Sequence, residues 1–293
     1  MIRLSENVVQ LGNRHFNYFV LGQEEAAVIE CGVSGGVYSF QKQWEQWQGK
    51  PKIRYLLAMH AHFDHVCGIP ALRELFPEAR LLGSAEAQKV LGNPKILKDF
   101  FAQDKCMSEL LIQEEIIDSD VQSYFAEQIV LDEIIGEGDE LELAGSLRLK
   151  ILDAPGHSPC GLAAYLPAEQ LMFLSDAAGF QISDEEIFPI FFQGYEIYME
   201  TLKRLMGFPT RILGIPHERI WTAGEVEGFY KRAINSAQQA FESIRNMLEQ
   251  GIDDEVIKST LYSRYYHGAL RIYTPANIKL CVHILLRRVK ECL

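Results

Sequence analysis

The sequence lacks the patterns that would place it in a membrane or in an oxidising compartment. No apolar run approaches the ~20 residues of a membrane span, and Met1 to Glu6 leads into strand-like sequence without the apolar region of a secretory signal. The six cysteines form no C-x-x-C pair and are scattered along 293 residues. These absences predict a reduced, cytoplasmic protein that does not contact a membrane.

Two catalytic signatures and an excess of basic residues are also missing. There is no G-x-S-x-G elbow of serine hydrolases and no Walker-type phosphate loop. Asp and Glu outnumber Lys and Arg by 40 to 28, giving a formal charge of −12, which argues against a broad nucleic-acid-binding face. The predicted partner is therefore a small-molecule substrate, and a homodimer is left open.

The most informative stretch is residues 58–68, AMHAHFDHVCG, which follows an apolar run. His60, His62 and Asp64 alternate, so an extended backbone projects them to one side, whereas His65 must point elsewhere and suits a second ion. Imidazole and carboxylate together favour zinc, manganese or iron over calcium. The alternative is a solvated turn that is rich in histidine by chance. Three of the eight histidines of the sequence, however, fall within the six positions 60–65.

Three later residues have similar surroundings, each just after an apolar run. They are His157 in APGHS, Asp176 in LSDA and His217 in GIPHE. Alone, each has an ordinary structural explanation, because an aspartate after a strand is commonly a turn or cap residue. In the company of the histidine cluster, ligation of a metal is the favoured interpretation.

Together, these four motifs resemble, in type and order, the signature of the metallo-β-lactamase superfamily over about residues 1–222. The resemblance implies an α/β fold, an αββα sandwich of two mixed sheets with helices outside. It also implies two divalent metal ions per chain. Zinc is the expected metal, and iron and manganese are the alternatives. By the same resemblance, one ion is held by His60, His62 and His157, the other by Asp64, His65 and His217, and Asp176 bridges them.

The sequence departs from the family pattern at two positions. Glu30 stands where relatives often have aspartate, and we expect it to support the metal histidines from behind. Pro216 stands before His217, where many relatives have glycine. Neither residue is given a catalytic role.

The reaction that the resemblance implies is hydrolysis by a metal-bridging hydroxide of a small ester, thioester or lactone. Asp64 is the predicted catalytic residue, because it could pass a proton to the leaving group. One alternative is a phosphodiesterase acting on a nucleotide or RNA. Another is a metal-bearing signalling or binding module whose hydrolysis is vestigial.

Residues 1–222 are predicted to form the metallo-β-lactamase-like domain, and two further helical segments are predicted, one within it and one after it. A helical insertion is expected at about 94–128, and residues 223–293 read as a helical extension. The extension resembles that of the glyoxalase II branch and of the thioesterase that responds to alkylquinolone signals. The apolar segment 187–192 either packs under the sheet or lines an acyl or aromatic pocket. Residues 264–268, RYYHG, are either a substrate contact or a solvent-facing turn.

Overall fold

The centre of the protein is a pair of β-sheets. The computed structural model describes residues 1–119, 121–144 and 147–293. In the first sheet the spatial order of the strands is also their chain order: β1 (Ile2–Arg3), β2 (Val8–Gly12), β3 (Asn17–Leu21), β4 (Glu25–Ile29), β5 (Lys52–Ala58), β6 (Arg80–Gly83) and β7 (Glu133–Ile134). Strands β1 to β4 pair antiparallel, and β4 to β7 pair parallel.

The second sheet uses the following part of the chain. Its strands are β8 (Glu140–Leu143), β9 (Leu147–Asp153), β10 (Leu162–Leu166), β11 (Leu171–Phe173), β14 (Ile212–Gly214) and β15 (Trp221–Thr222), and a separate short pair is formed by β12 (Phe180–Gln181) and β13 (Ile187–Phe188). The spatial order is β15-β14-β11-β10-β9-β8, in which β11 and β14 run parallel. Mixed pairing occurs in both sheets, as predicted.

Alternating burial explains why the sheets pack face to face. In β3, Phe19 and Leu21 belong to a core shared by the two sheets, whereas Tyr18 and Val20 belong to the core under the helices. Successive side chains of a strand point to opposite faces, so a strand that is apolar on both faces is covered on both. The ring of Phe19 lies 5.1 Å from that of Phe173 in the opposite sheet.

Helices cover the outer faces of both sheets. They are α1 (Ser34–Gln46), α2 (Phe63–Val66), α3 (Ile69–Leu75), α4 (Ala85–Leu91), α5 (Pro94–Gln113), α6 (Tyr195–Met206), α7 (Glu225–Glu249), α8 (Asp254–Tyr265) and α9 (Pro275–Lys290). The predicted αββα architecture is therefore confirmed. None of the described helices is both long enough and apolar enough to cross a membrane.

The segment predicted as a helical insertion at about 94–128 is helical only in its first part. Helix α5 ends in a Schellman arrangement, in which the amide of Glu115 donates to Ile112 and that of Ile116 donates to Leu111. Glu115 has the left-handed φ of +57° that this ending requires. The described residues between 121 and 132 form neither helix nor strand.

The predicted C-terminal extension packs directly on the preceding fold. The ring of Phe241 in α7 stacks at 4.1 Å on Tyr195 of α6, and Phe229 lies 5.5 Å from Trp221 of β15. The predicted helical extension contains the three helices α7, α8 and α9. The division into domains at residue 222 stays a prediction.

Candidate metal centre

The predicted site residues follow the ends of four strands. His60 comes after β5, His157 after β9, Asp176 after β11 and His217 after β14. Strand β14 is parallel to β11, and β9 also runs in the direction of β11 because both are antiparallel to β10. Their carboxyl ends therefore meet at one edge of the second sheet. The amide of Leu162 donates to Met59 at 2.8 Å and ties the end of β5 to the same edge.

The first cluster consists of His60, His62 and His157. The Nδ1 atom of His62 lies 3.2 Å from Nε2 of His60 and 2.9 Å from Nε2 of His157. Nitrogen ligands at about 2.0–2.1 Å from a tetrahedral ion are about 3.3 Å apart. The spacing of these three nitrogens matches that of ligands around one ion.

The second cluster consists of Asp64, His65 and His217. The Oδ2 atom of Asp64 lies 3.7 Å from Nε2 of His65 and 3.7 Å from Nε2 of His217. The two Nε2 atoms are 3.3 Å apart. Asp64 and His65 belong to the one-turn helix α2, whereas His60 and His62 precede it.

Asp176 lies between the two clusters. Its Oδ2 atom is 3.4 Å from Nε2 of His65 and 3.5 Å from Nε2 of His157, while its Oδ1 atom is 3.6 Å from Nε2 of His217. A single carboxylate thus faces histidines of both clusters, which is the arrangement that a bridging ligand requires. The structure brings together all seven residues singled out in the sequence.

In two of the histidines, a hydrogen bond from Nδ1 fixes the state of the Nε2 atom that faces the centre. Nδ1 of His157 donates to the carbonyl of Ile190 at 3.0 Å, and Nδ1 of His217 donates to that of His15 at 2.7 Å. A carbonyl oxygen only accepts, so in the neutral ring each Nε2 carries a lone pair. These bare lone pairs converge on other nitrogens within about 3 Å, which a cation between them stabilises. The donor set therefore fits divalent metal ions.

Burial keeps the first cluster in its neutral, metal-binding form. Desolvation by burial is the main cause that lowers the pKa of His62 to about 3 and the pKa of His60 well below its usual value. The pKa of His157 is also lowered, chiefly by burial. Neutral imidazole is the form that binds metal, so these side chains need not lose a proton at neutral pH.

The second cluster has the opposite electrostatic character. Burial disfavours a charged His65, but Asp176, Glu30 and Asp64 outweigh it and raise the pKa of this histidine well above its usual value. Burial also opposes the charge on Asp176, yet the neighbouring histidines, led by His65, hold the pKa of its carboxyl well below the usual range. The position thus favours a positive charge.

Strained turns hold the supporting residues. Glu30 accepts a hydrogen bond from Nδ1 of His65 at 2.8 Å, which agrees with the role expected for it behind the histidines, and Oγ of Ser175 lies 3.1 Å from Nδ1 of His60. Glu30, Ser175 and Glu218 all have a left-handed backbone, with φ of +74°, +48° and +59°. Such conformations in residues other than glycine cluster at functional sites.

Tyr273 reaches the centre although no sequence motif indicated it. It lies between the 3₁₀ turn Gly268–Ile272 and α9, and its hydroxyl donates to Oδ2 of Asp64 at 2.6 Å. Its ring packs edge-on against Phe63 and Phe180. A residue of the C-terminal segment is therefore in contact with Asp64, one of the candidate metal ligands.

A cavity of about 190 Å³ opens beside the two clusters. Its walls come from segment 187–192, from α5 and from α9, and they include Phe188, Ile190, Phe192, Phe100 and Ile278. Among the described residues, no lysine or arginine lines it. Of the two readings of segment 187–192, the one that lines a pocket is thus supported.

Segment 264–268 does not line this cavity, and its interpretation as a substrate contact stays a prediction. Tyr265 is buried against Phe188, with ring centroids 4.9 Å apart, and His267 lies 3.1 Å from Glu186. Both side chains are thus engaged in packing and surface pairing. The cavity is lined instead by residues 270–284, just beyond this segment.

Comparisons with known proteins agree with this geometry. ST1585 of Sulfurisphaera tokodaii, described as a metallo-beta-lactamase fold-containing protein, is 23% identical over 226 residues, which are 75% of this chain and 79% of that protein. The solved structure of ST1585 matches with a TM-score of 0.60 at 18% identity, over 98% of this chain and 99% of that one.

Two further solved structures share the fold. The metallo-beta-lactamase family protein TTHA1429 of Thermus thermophilus gives a TM-score of 0.63 at 17% identity, over 97% of this chain and 94% of that one. The sec-alkylsulfatase Pisa1 of a Pseudomonas species gives 0.65 at 12% identity, over 96% of this chain and 49% of that one. A model of the Metallo-beta-lactamase superfamily matches residues 12–217, well over half of the sequence. The chain belongs to the metallo-beta-lactamase superfamily.

Proposed function

We propose that the protein is a hydrolase with two divalent ions that acts on a small ester, thioester or lactone. The first cluster would hold one ion, the second cluster the other, and Asp176 would bridge them. Zinc is the expected metal, and the same ligands accept iron or manganese. Members of the superfamily are generally metal-dependent hydrolases, which supports the reaction class.

One observation carries the proposal. The Asp176 carboxylate is shared between two sets of ligand atoms beside a cavity that no described lysine or arginine lines. Two ions, when bound, would activate water and polarise the oxygen of the scissile group. An uncharged carbonyl substrate fits such a cavity, because it needs no cation from the walls to hold it.

The residues around the cavity have separate tasks in this scheme. His157 is held by Ile190, and the ring of Phe192 lies 5.3 Å from the ring of His157, where it keeps water from that side of the centre. Asp64 lines the cavity and would take up the proton lost by the attacking water and pass it to the departing alcohol or thiol. The hydroxyl of Tyr273 limits the rotation of that carboxylate.

The same proposal includes the branch of the superfamily: we place the chain with glyoxalase II and the thioesterase that responds to alkylquinolone signals. This placement is supported by the contribution of the C-terminal segment, because Leu270, Tyr273 and Ile278 all line the cavity. Extra helices that reach the site would narrow the substrate range. They leave the metal ligands of the common fold unchanged.

Phosphodiester hydrolysis is the second candidate and is less well supported. The same ions would serve it, but the described cavity walls offer no cation for a phosphate, and the formal charge of −12 repels polyanions. A signalling module with vestigial hydrolysis is disfavoured by the complete set of seven ligand side chains.

A substrate panel tests the proposal. Protein loaded with zinc, manganese or iron is assayed with an alkyl thioester, an alkyl ester, a lactone and a bis-aryl phosphodiester. We expect turnover of at least one carbonyl substrate, and its loss in Asp176→Ala. Turnover of the phosphodiester alone would promote the second candidate, and full activity in Asp176→Ala would refute the proposed centre.

A further inference from the structure

The cavity walls differ sharply in chemistry from the centre at its base. Phe188 and Phe192 come from the loop after Asp176, Phe100 comes from α5, and Ile278 and Ile284 come from α9. The polar wall residues Gln103 and Asn277 bond to each other, Nδ2 to Oε1, at 3.0 Å. The cavity above the candidate ligands is thus apolar on three sides.

We propose that the acyl group of the substrate is apolar and uncharged and occupies this cavity. The inference rests on the proposed hydrolysis of a carbonyl ester, thioester or lactone, and it names which end of that substrate the protein recognises. An acyl chain gains free energy from each methylene that leaves water. A carboxylate at its far end would lose hydration without gaining a cationic partner from the described walls.

A series of thioesters with one common thiol tests this proposal. Acetyl, butanoyl and hexanoyl thioesters are compared with the succinyl thioester, which matches butanoyl in chain length but ends in a carboxylate. We expect kcat/KM to rise at least about tenfold from acetyl to hexanoyl, at about fourfold or less per methylene. Succinyl should be at least about tenfold worse than butanoyl. Equal rates across the series, or a preference for succinyl, would overturn the proposal.

A binding measurement tests the apolar acyl site independently of the proposed hydrolysis. Hexanoate and succinate, as acyl products, are titrated calorimetrically into the zinc-loaded protein. Tighter binding of hexanoate supports the apolar site even if no thioester is turned over, and in that event only the proposed reaction fails. Equal or weaker binding of hexanoate contradicts the apolar site whatever the activity.

Two surface variants test whether the preference for a longer acyl chain arises in this cavity. Leu280 lines the cavity and is 57% exposed, so Leu280→Asp places a charge at its mouth without disturbing the core. We expect the hexanoyl-to-acetyl ratio of kcat/KM to fall several-fold. Val256 on α8 is similarly exposed but does not line the cavity, and Val256→Asp should leave the ratio unchanged. Equal effects of the two variants would contradict the assignment.

A different observation assigns a role to Tyr273. Its hydroxyl bonds to Oδ2 of Asp64, the same oxygen that faces both histidines of the second cluster at 3.7 Å. The backbone is anchored in turn, because the hydroxyl of Tyr266 donates to the carbonyl of Tyr273 at 2.9 Å. The structure assigns Tyr273 as a positioning residue that fixes which oxygen Asp64 offers to an ion.

The variant Tyr273→Phe tests this assignment by a readout other than activity. We expect zinc titration of the metal-free variant to show about tenfold weaker binding of one ion and unchanged binding of the other. Tyr230→Phe is the matched control, because the hydroxyl of Tyr230 is also buried but has no hydrogen-bond partner among the described residues. Unchanged zinc binding in Tyr273→Phe, or an equal loss in both variants, would overturn the assignment.

Discussion

The histidines of the first cluster and His65 of the second stand in opposite electrostatic settings. Around His62 and His157 burial prevails, and it favours neutral rings. Around His65 three carboxylates prevail over burial and favour a positive charge. The pKa of the same imidazole group is thus shifted in two directions within a few ångströms, by burial in the first cluster and by neighbouring carboxylates at His65.

One support of the second cluster is charged, whereas the other supports, including the His15 carbonyl behind His217, are neutral. His157 is held by a neutral carbonyl and His60 contacts a neutral hydroxyl, whereas His65 is held by the carboxylate of Glu30. A charged acceptor strengthens the ligand that it holds more than a neutral acceptor does. The second cluster should therefore depend more strongly on its charged support than the first cluster depends on its neutral ones.

The largest effect is expected from the first cluster's central ligand. His62→Ala should remove most of the metal from that cluster and reduce hydrolysis by more than about a hundredfold, because losing a ligand exceeds the usual 10–100-fold cost of losing a support. Metal content and kcat/KM are measured on the same sample. Normal activity with full metal content would refute the assignment of the cluster.

Removing the charge behind the second cluster should have the next largest effect. Glu30→Gln keeps an oxygen for Nδ1 of His65 but removes its charge, so binding of one ion should weaken about 10–100-fold. Zinc affinity is measured by competition with a chelator. Glu25→Gln, at the exposed start of the same strand, is the control and should bind both ions normally.

Removing the neutral support of the first cluster should have a smaller effect. Ser175→Ala deletes the hydroxyl beside Nδ1 of His60 and leaves a residue that tolerates the same backbone about as well. We expect less than about tenfold weaker binding of the other ion. A loss as large as that of Glu30→Gln would break the contrast between the clusters.

The smallest expected effect on the metal site comes from Asp104, which supports the second cluster only indirectly. Its carboxylate accepts from the amide and the hydroxyl of Ser34, at the start of the helix that follows Glu30. Burial, the largest cause, raises the pKa of Asp104 to about 6, against the opposing hydrogen bonds from Ser34.

The pKa of Asp104 predicts a pH-dependent stability difference. Because the pKa of about 6 is above the usual 3.8, the folded state binds the proton more tightly, and this contribution is lost as pH rises from about 4 through 6. Asp104→Asn should therefore gain about 2 kcal/mol relative to the native protein between pH 4 and pH 7. Urea unfolding at both values measures it. A constant difference would show that the carboxyl does not titrate there, and zinc binding should not change.

The candidate ligands could be predicted from the sequence because each of the four motifs that carry them begins just after a strand. Strand ends at one sheet edge bring residues as distant as His60 and Asp176 together by topology alone. Glu30 could also be placed, since it follows β4 beside β5. A local sequence motif was therefore enough to predict a site residue wherever that residue follows a strand that ends at the site.

The C-terminal contribution could not be predicted in this way. Tyr273 is 209 residues from Asp64 and belongs to no motif, so only the packing of the terminal segment reveals their contact. Segment 264–268 attracted attention by its charge and aromatic content, yet Gly268 turns there with φ of +53° against Ile182, and the chain reaches the cavity only beyond it. No signal in the sequence indicated that the cavity lining of this region begins at Leu270.

Zinc titration of the metal-free native protein, of Glu30→Gln and of Ser175→Ala shows how many ions the centre binds and which ion each support affects. We expect two ions per native chain, with each variant weakening the binding of a different ion and Glu30→Gln having the larger effect. A single ion per chain, or both variants weakening the same ion, would contradict a centre with two separately supported ions.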